Sequence, residues 1–406
     1  MKKLEKSVPV IRFKGFSEAW EQRKLRDFTK ISQGLQIAIS DRYLENGDNR
    51  ELYITNEFLN TYSSPKYYIE NPPENVIANE DDILMTRTGN TGKVITNVIG
   101  AFHNNFFKID YNPMKTSKLF LYYVLVSENI QKEILIKAGT STIPDLKHND
   151  FYSIVIQVPK IQEQQKIGDF FKQLDNTIAL HQRKLDALKK MKKGFLQQMF
   201  PKSEEDVPKI RFTDFNGNWR QRKLEEVADR VRGNDRRMEL PTLTISASKG
   251  WLNQHDRFFG NIAGKEQKNY TLLKKGQLSY NHGNSKSAKY GAVFVLRTYD
   301  EALVPRIYHS FKTNILANSD FIEYLFATKI PDRELRKIVS SGARMDGLLN
   351  INFNDFMSIL IMLPFVEEQI KISNSLIRLD KIISLYQNKL DQLIKLKKAY
   401  LQYLFI

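Results

Sequence analysis

VPVIRFKGFSEAWEQRKL (Val8–Leu25) and VPKIRFTDFNGNWRQRKL (Val207–Leu224) agree without a gap at 11 of 18 positions. A second pair closes what the first opens. VPKIQEQQKIGDFFKQLDNTIALHQRKLDALKKMKKGFLQQMF (Val158–Phe200) and LPFVEEQIKISNSLIRLDKIISLYQNKLDQLIKLKKAYLQYLF (Leu363–Phe405) agree at 20 of 43. Two duplicated segments in the same order mean that the chain is one plan written twice, with unlike blocks between opener and closer.

The closers carry a helical seam. In the first, Ile167, Phe171, Leu174, Ile178, His181, Leu185, Leu188, Lys192, Phe195 and Met199 step by alternating fours and threes. In the second, Ile372, Leu376, Leu379, Ile383, Tyr386, Leu390, Leu393, Lys397, Tyr400 and Leu404 do the same. This spacing predicts two long helices, each starting just after a proline, Pro159 or Pro364. About 40 residues at ~1.5 Å each make a rod of roughly 60 Å. No globular core is that long, so each rod needs another long helix beside it. The other repeat is the simplest partner, parallel or antiparallel; a homodimeric coiled coil is the alternative. The matching polar seam positions, His181 with Tyr386 and Lys192 with Lys397, suit the setting of register.

The blocks Arg26–Gln157 and Glu225–Met362 read as mixed α/β. Short β-rich runs (ENVIANEDDILMTR, YTLLKKGQLSY), turns at Asn46-Gly47 and Asn216-Gly217, and helical stretches (SKLFLYYVLVSENIQKEI, SDFIEYLFATKI) alternate. Both blocks end alike, in Asn-Asp-Phe and an apolar strand. Like ends around unlike middles suggest one fold with two binding surfaces.

At 406 residues and 41% apolar content the chain suits two sizeable cores. The absence of cysteine excludes disulfides, thiolate zinc sites and a cysteine nucleophile. With no long apolar run and no secretory signal, a cytoplasmic protein is expected. The net charge of +16 points to a polyanionic partner. Its distribution is uneven, however: 26–158 is net −3 and 225–363 is net +5, so the rods hold much of the excess. The KKMKK and KLKK lysines read as a solvated face first and a polyanion-tracking stripe second.

Catalytic signatures fail one by one. Asn71-Pro72-Pro73-Glu74 has the start of an adenine methyltransferase loop but Glu74 where an aromatic should stack, and no Gly-rich cofactor loop precedes it; a proline turn is expected. TRTGNTGKV around Gly89–Lys93 lacks phosphate-loop spacing and a Ser or Thr after Lys93, so it reads as a hairpin-like turn. The six histidines are scattered, which makes a zinc site improbable. The aspartate of IPDLK lacks the second acid of a nuclease signature. No catalytic and no metal site is expected.

The P-x-I-R-F…W…R-K-L openers, the P-x-x-x-E-Q-x-K-I…L-D helices and the two unlike blocks together resemble the specificity subunit of type I restriction-modification systems, over essentially the whole chain. The resemblance implies an α/β (α+β) architecture: two mixed α/β target-recognition domains joined by two long antiparallel coiled-coil helices, with a pseudo-twofold internal repeat. It divides the chain into a repeat motif at 1–25, a target-recognition domain at 26–158, a spacer helix at 159–202, repeat motif and linker at 203–224, a second recognition domain at 225–363 and a second spacer helix at 364–406. It further implies that each domain reads one half of an asymmetric bipartite double-stranded DNA target. Two methyltransferase subunits and two restriction subunits would join this non-catalytic chain. S-adenosylmethionine, ATP and Mg would sit on those partners and no cofactor on this chain. A frame that meets two identical partners is needed twice, and a reader of each half-site once. Trp20, Trp219, Phe13, Phe16, Phe212 and Phe215 are then frame packing, and the rods are a ruler for the gap between half-sites.

Candidate DNA contacts are polar donors in Gly-containing, loop-like contexts: Arg87, Thr88, Asn90, Lys93, Thr140, Ser141 and Thr142 in the first block, and Arg236, Arg237, His282, Asn284, Lys286 and Arg344 in the second. The competing reading is a non-catalytic coiled-coil scaffold without DNA specificity. It accounts for the heptads and leaves the divergent blocks unexplained.

Overall fold

The computed structural model describes residues 8–60, 66–202, 205–258, 264–283, 285, 287–339 and 348–405. The chain forms two compact units, 1–183 with 388–406, and 184–387.

In the first unit a central antiparallel sheet runs in the order Thr29–Gln33, Phe106–Tyr111, Ile83–Thr86, Val94–Thr96. Alternate residues of its strands serve two cores. Ile83, Met85, Phe107 and Ile109 face a cluster containing helices Lys118–Leu125 and Glu128–Ala138, while Leu84 and Phe106 join Ile54, Val76 and Phe102 in another. That second cluster belongs to a sheet ordered Tyr67–Glu70, Arg50–Ile54, Gly100–Phe102, Ile77–Ala78. Covered on both sides, all four residues of Ile83–Thr86 are buried.

The second unit repeats the plan. Its central sheet runs Ala228–Arg230, His309–Thr313, Leu278–Asn281, Ala292–Val295, flanked by helices Ser319–Ala327 and Asp332–Ile338 and by the strand pairs Leu243–Ser246 with Gly250–Asn253 and Thr271–Lys274 with Glu301–Val304. The run YTLLKKGQLSY is thus two strands in two sheets, parted at Lys275-Gly276-Gln277. Likewise SKLFLYYVLVSENIQKEI is two helices. Ser127 Oγ donates to Val124 O at 2.7 Å and competes with helix continuation there.

The repeated openers form matching strands. Glu21–Lys24 pairs antiparallel with Val155–Val158, and Arg220–Lys223 with Leu360–Leu363, in the same register. Each opener tryptophan is buried against a phenylalanine of the helix following the central sheet, Trp20 on Phe120 and Trp219 on Phe321.

The closers are the helices Ile161–Gln198 and Val366–Leu404. Each unit contains a segment of both, packed antiparallel. In the first unit Phe170 meets Tyr400, and Asp175 pairs with Lys397 at 2.5 Å. In the second, Lys192 pairs with Asp380 at 2.6 Å, and Lys189 Nζ donates to Gln387 Oε1 at 3.3 Å. Both seam lysines have therefore been matched to aspartates of the other helix. A tyrosine of the adjoining domain helix completes each group: Tyr123 Oη donates to Asp175 and Tyr324 Oη to Asp380, both at 2.8 Å. Burial and the neighbouring carboxylate hold both phenols protonated far above their ordinary range.

Candidate nucleic-acid interface

Residues 87–93 connect Ile83–Thr86 to its antiparallel neighbour Val94–Thr96, as a hairpin turn. Thr86 holds the turn from within: its Oγ1 donates to Asn90 O at 2.5 Å and accepts the Lys93 N–H at 2.9 Å. Gly89 lies at φ +82°, and any side chain there would run into the Asn56 carboxamide.

The segment 140–146 lies along this turn. Thr88 bridges Asp145, Leu146 donates its N–H to Arg87 O at 2.8 Å, and Thr91 Oγ1 donates to Pro144 O at 2.7 Å. The Arg87 guanidinium pairs with Asp145 at 2.7 Å and lies 5.7 Å from the centre of the Phe107 ring. The aspartate of IPDLK is thus half of a clamp between two loops. Arg87, Thr88, Asn90 and Lys93 share this turn, and Thr140, Ser141 and Thr142 precede residues 144–146, which pair with it. Asn90, Lys93, Thr140, Ser141 and Thr142 are exposed, Thr88 is half-buried, and Arg87 is tied down behind them.

The second unit builds the same edge from other residues. The connection 282–291 joins Leu278–Asn281 to Ala292–Val295. Gly283 bridges Leu348, and Leu349 donates its N–H to His282 O at 2.9 Å, as Leu146 does to Arg87. Tyr280 Oη donates to Tyr290 O at 2.8 Å and pins the far end of the loop. His282 is only 5% exposed, with its ring 4.9 Å from that of His309. Its backbone shapes the edge while its imidazole packs inside, where burial also pushes the His309 imidazole below its usual value and the Tyr280 phenol well above its own. Asn284, Lys286 and Arg344 lie outside the described residues. Arg236 is exposed at φ +69°. Arg237 is held by Asp235 and Glu301, both at 2.7 Å. Its second partner stands on a strand of the other sheet, so this arginine is anchored elsewhere than in the loop 282–291.

Sequence reasoning passed over Asn56 and the turn between Leu243–Ser246 and Gly250–Asn253. Their signal, a short polar run between two apolar strands, does not differ from that of any solvated turn.

A duplicated frame that displays one edge twice, with unlike residues each time, is a fold already found elsewhere. The S subunit of a type I restriction-modification system from M. genitalium superposes with a TM-score of 0.63, covering 98% of this chain and 99% of that one at 13% identity. Residues 17–190 match the family model for the type I restriction modification DNA specificity domain. In sequence the chain is similar to the type I restriction enzyme MjaVIII specificity subunit of Methanocaldococcus jannaschii, 25% identical over 408 residues that cover 95% of this chain and 92% of the relative. Along essentially its whole length the chain is similar to type I specificity subunits. The helix segments, left open between two directions by the heptads alone, run antiparallel within each unit. The residues that differ between the two edges stand on loops over a buried sheet. Loops tolerate exchange, and the buried sheet does not. Among the described residues no helix is long and apolar enough to cross a membrane.

Proposed function

We propose that this specificity subunit reads double-stranded DNA for a type I restriction-modification complex, acting in the cytoplasm, with each unit reading one half of an asymmetric bipartite target. The observation that supports this reading is the pair of matching edges at 87–93 with 140–146 and at 282–291 with 348–349, alike in backbone pairing and unlike in side chains. Thr88, Asn90, Lys93 and Thr140–Thr142 face the DNA from the first unit, with Arg87 as the clamp that positions them. Arg236, Arg237, His282, Asn284, Lys286 and Arg344 are the candidates of the second, with the His282 backbone shaping the edge. The repeated frame docks two methyltransferase subunits, which two restriction subunits join, and the long helices set the gap between half-sites. The subunit itself performs no chemistry; S-adenosylmethionine, ATP and Mg act on the partner subunits.

The test is to co-express this chain with its methyltransferase subunit and map N6-methyladenine across the host DNA by single-molecule sequencing. The expected result is one bipartite motif, methylated only when both proteins are present. Unmodified DNA despite a soluble complex with an active methyltransferase overturns the reading.

A further inference from the structure

A third segment reaches the edge in both units. In the first unit it is the connection after Arg50–Ile54, where Asn56 Nδ2 donates to Thr88 O at 3.1 Å. In the second it is the hairpin of Leu243–Ser246 and Gly250–Asn253, which turns through Ala247-Ser248-Lys249 with Ser246 opposite Gly250. Asn281, the last residue before the loop 282–291, ties the two together: its Nδ2 donates to Ile245 O at 3.2 Å and its Oδ1 accepts the Gly283 N–H at 3.1 Å. One asparagine thus joins hairpin and loop at a shared root, as Asn56 does in the first unit.

The hairpin is also stiff. Gly250 sits at φ +71° with the Phe294 ring in van der Waals contact with the space a side chain would occupy, so the turn is backed by the central sheet. Residues 247–251 and Ser287 line a concavity of about 540 Å³ together with Arg297, Glu323, Tyr324, Lys192 and Asp380. Ser248 and Lys249 stand exposed at the tip, and none of the described ion pairs includes Lys249. A two-stranded ribbon is narrow enough for the major groove, and lysine and serine donate to the acceptors that guanine and adenine present there.

We propose that Lys249, with Ser248 beside it, is a specificity-determining residue of the second unit, donating to base edges in the half-site that this unit reads. The inference rests on the DNA-reading function proposed above. A lysine that only met phosphate would need no fixed position relative to the loop; this one is carried on a turn fastened to the loop's root.

The methylation map of wild-type subunit is compared with those of Lys249→Ala, Lys249→Gln and Ser248→Ala, each co-expressed with the methyltransferase subunit in the same host. Lys249→Ala is expected to reduce discrimination about tenfold or more at one or two positions of one half-site and to leave the other half-site unchanged. Lys249→Gln is expected to move the preferred base at that position toward adenine. The untouched half-site, with an unchanged thermal midpoint, reports that the variants fold. An unchanged motif in Lys249→Ala overturns the proposal, as does a uniform fall in methylation with both half-sites intact, the mark of a phosphate contact. A wild-type map without a bipartite motif sinks the underlying function before any variant is read, and so separates the two failures.

Discussion

Arg12 closes on Glu163 through two hydrogen bonds of 2.7 and 2.8 Å, and Arg211 closes on Glu368 through two of 2.7 Å. Each pair fastens an opener to the first turn of a long helix. The carboxylates are 2% and 1% exposed, so each depends on its arginine as a buried partner. Arg12→Ala leaves one uncompensated, and a loss of roughly 3–5 kcal/mol is expected. Urea unfolding should show it, with Arg23→Ala as control: Arg23 pairs with Glu21 on the surface, and its loss should cost less than about 1 kcal/mol. Equal midpoints for the two variants would mean that the clamp does not hold the frame.

Asn90 and Lys93 share one turn but should fail differently. Asn90 carries a carboxamide that can pair with a base edge, whereas Lys93 brings a point charge. Asn90→Ala is expected to relax one position of one half-site, and Lys93→Ala to weaken binding to all sequences and shallow the salt dependence by about one charge. Fluorescence anisotropy on specific and scrambled duplexes over a salt series reads both. Identical behaviour of the two variants contradicts this division of labour.

His309 makes the second unit sensitive to acid. Burial depresses its folded pKa, helped by the Arg230 charge and opposed by its hydrogen bond to Ile351 O. The unfolded imidazole takes a proton near pH 6.5, the folded one only at lower pH, so below about 6.5 the unfolded chain binds more protons and stability falls with pH. His103 adds the same sign in the first unit, lowered by burial and by Arg42. Thermal midpoints at about pH 7.5 and 5.5 should therefore drop for wild type and drop less for His309→Gln. An identical slope in both would assign the acid sensitivity to other groups.

The frame was legible because it was written twice. Repetition shows which residues serve a common purpose: the Trp20 and Trp219 packing, the helix bounds after Pro159 and Pro364, and the seam polar positions all followed from comparing the chain with itself. What repetition could not give was the identity of partners across the fold. Glu163 and Asp175 stand out as repeated acids of the P-x-x-x-E-Q-x-K-I…L-D motif, but only the fold shows that Arg12 and Lys397 meet them. The turn at 87–93 was legible in the first block because its glycines mark it. His282 misled because a Gly-containing context marks a loop without saying which way its side chains turn. The hairpin at Lys249 was passed over because its placement beside the loop depends on a hydrogen bond from Asn281 to Ile245, 36 residues away.

Ile11 N–H donates to Tyr403 O at 3.4 Å, the counterpart of Ile210 N–H to Gln198 O at 2.9 Å. In the second unit the helix end Phe200 packs on Phe321 and Trp219, and the chain passes on through 201–206 into the opener. In the first unit Phe405 packs on Phe120, against which Trp20 also lies, but the two segments come from opposite ends of the sequence. Joining residue 406 to residue 1 places eight residues between Phe405 and Val8, where six separate Phe200 from Val207. The closure should cost little, since loop entropy grows only slowly with length. A circular permutant joined there and opened within 201–206 is therefore expected to fold, to lose no more than about 1–2 kcal/mol, and to direct methylation to an unchanged motif. Those numbers come from urea unfolding and from the methylation map. A permutant that fails to fold would show that the link from Phe200 to Val207 does more than connect.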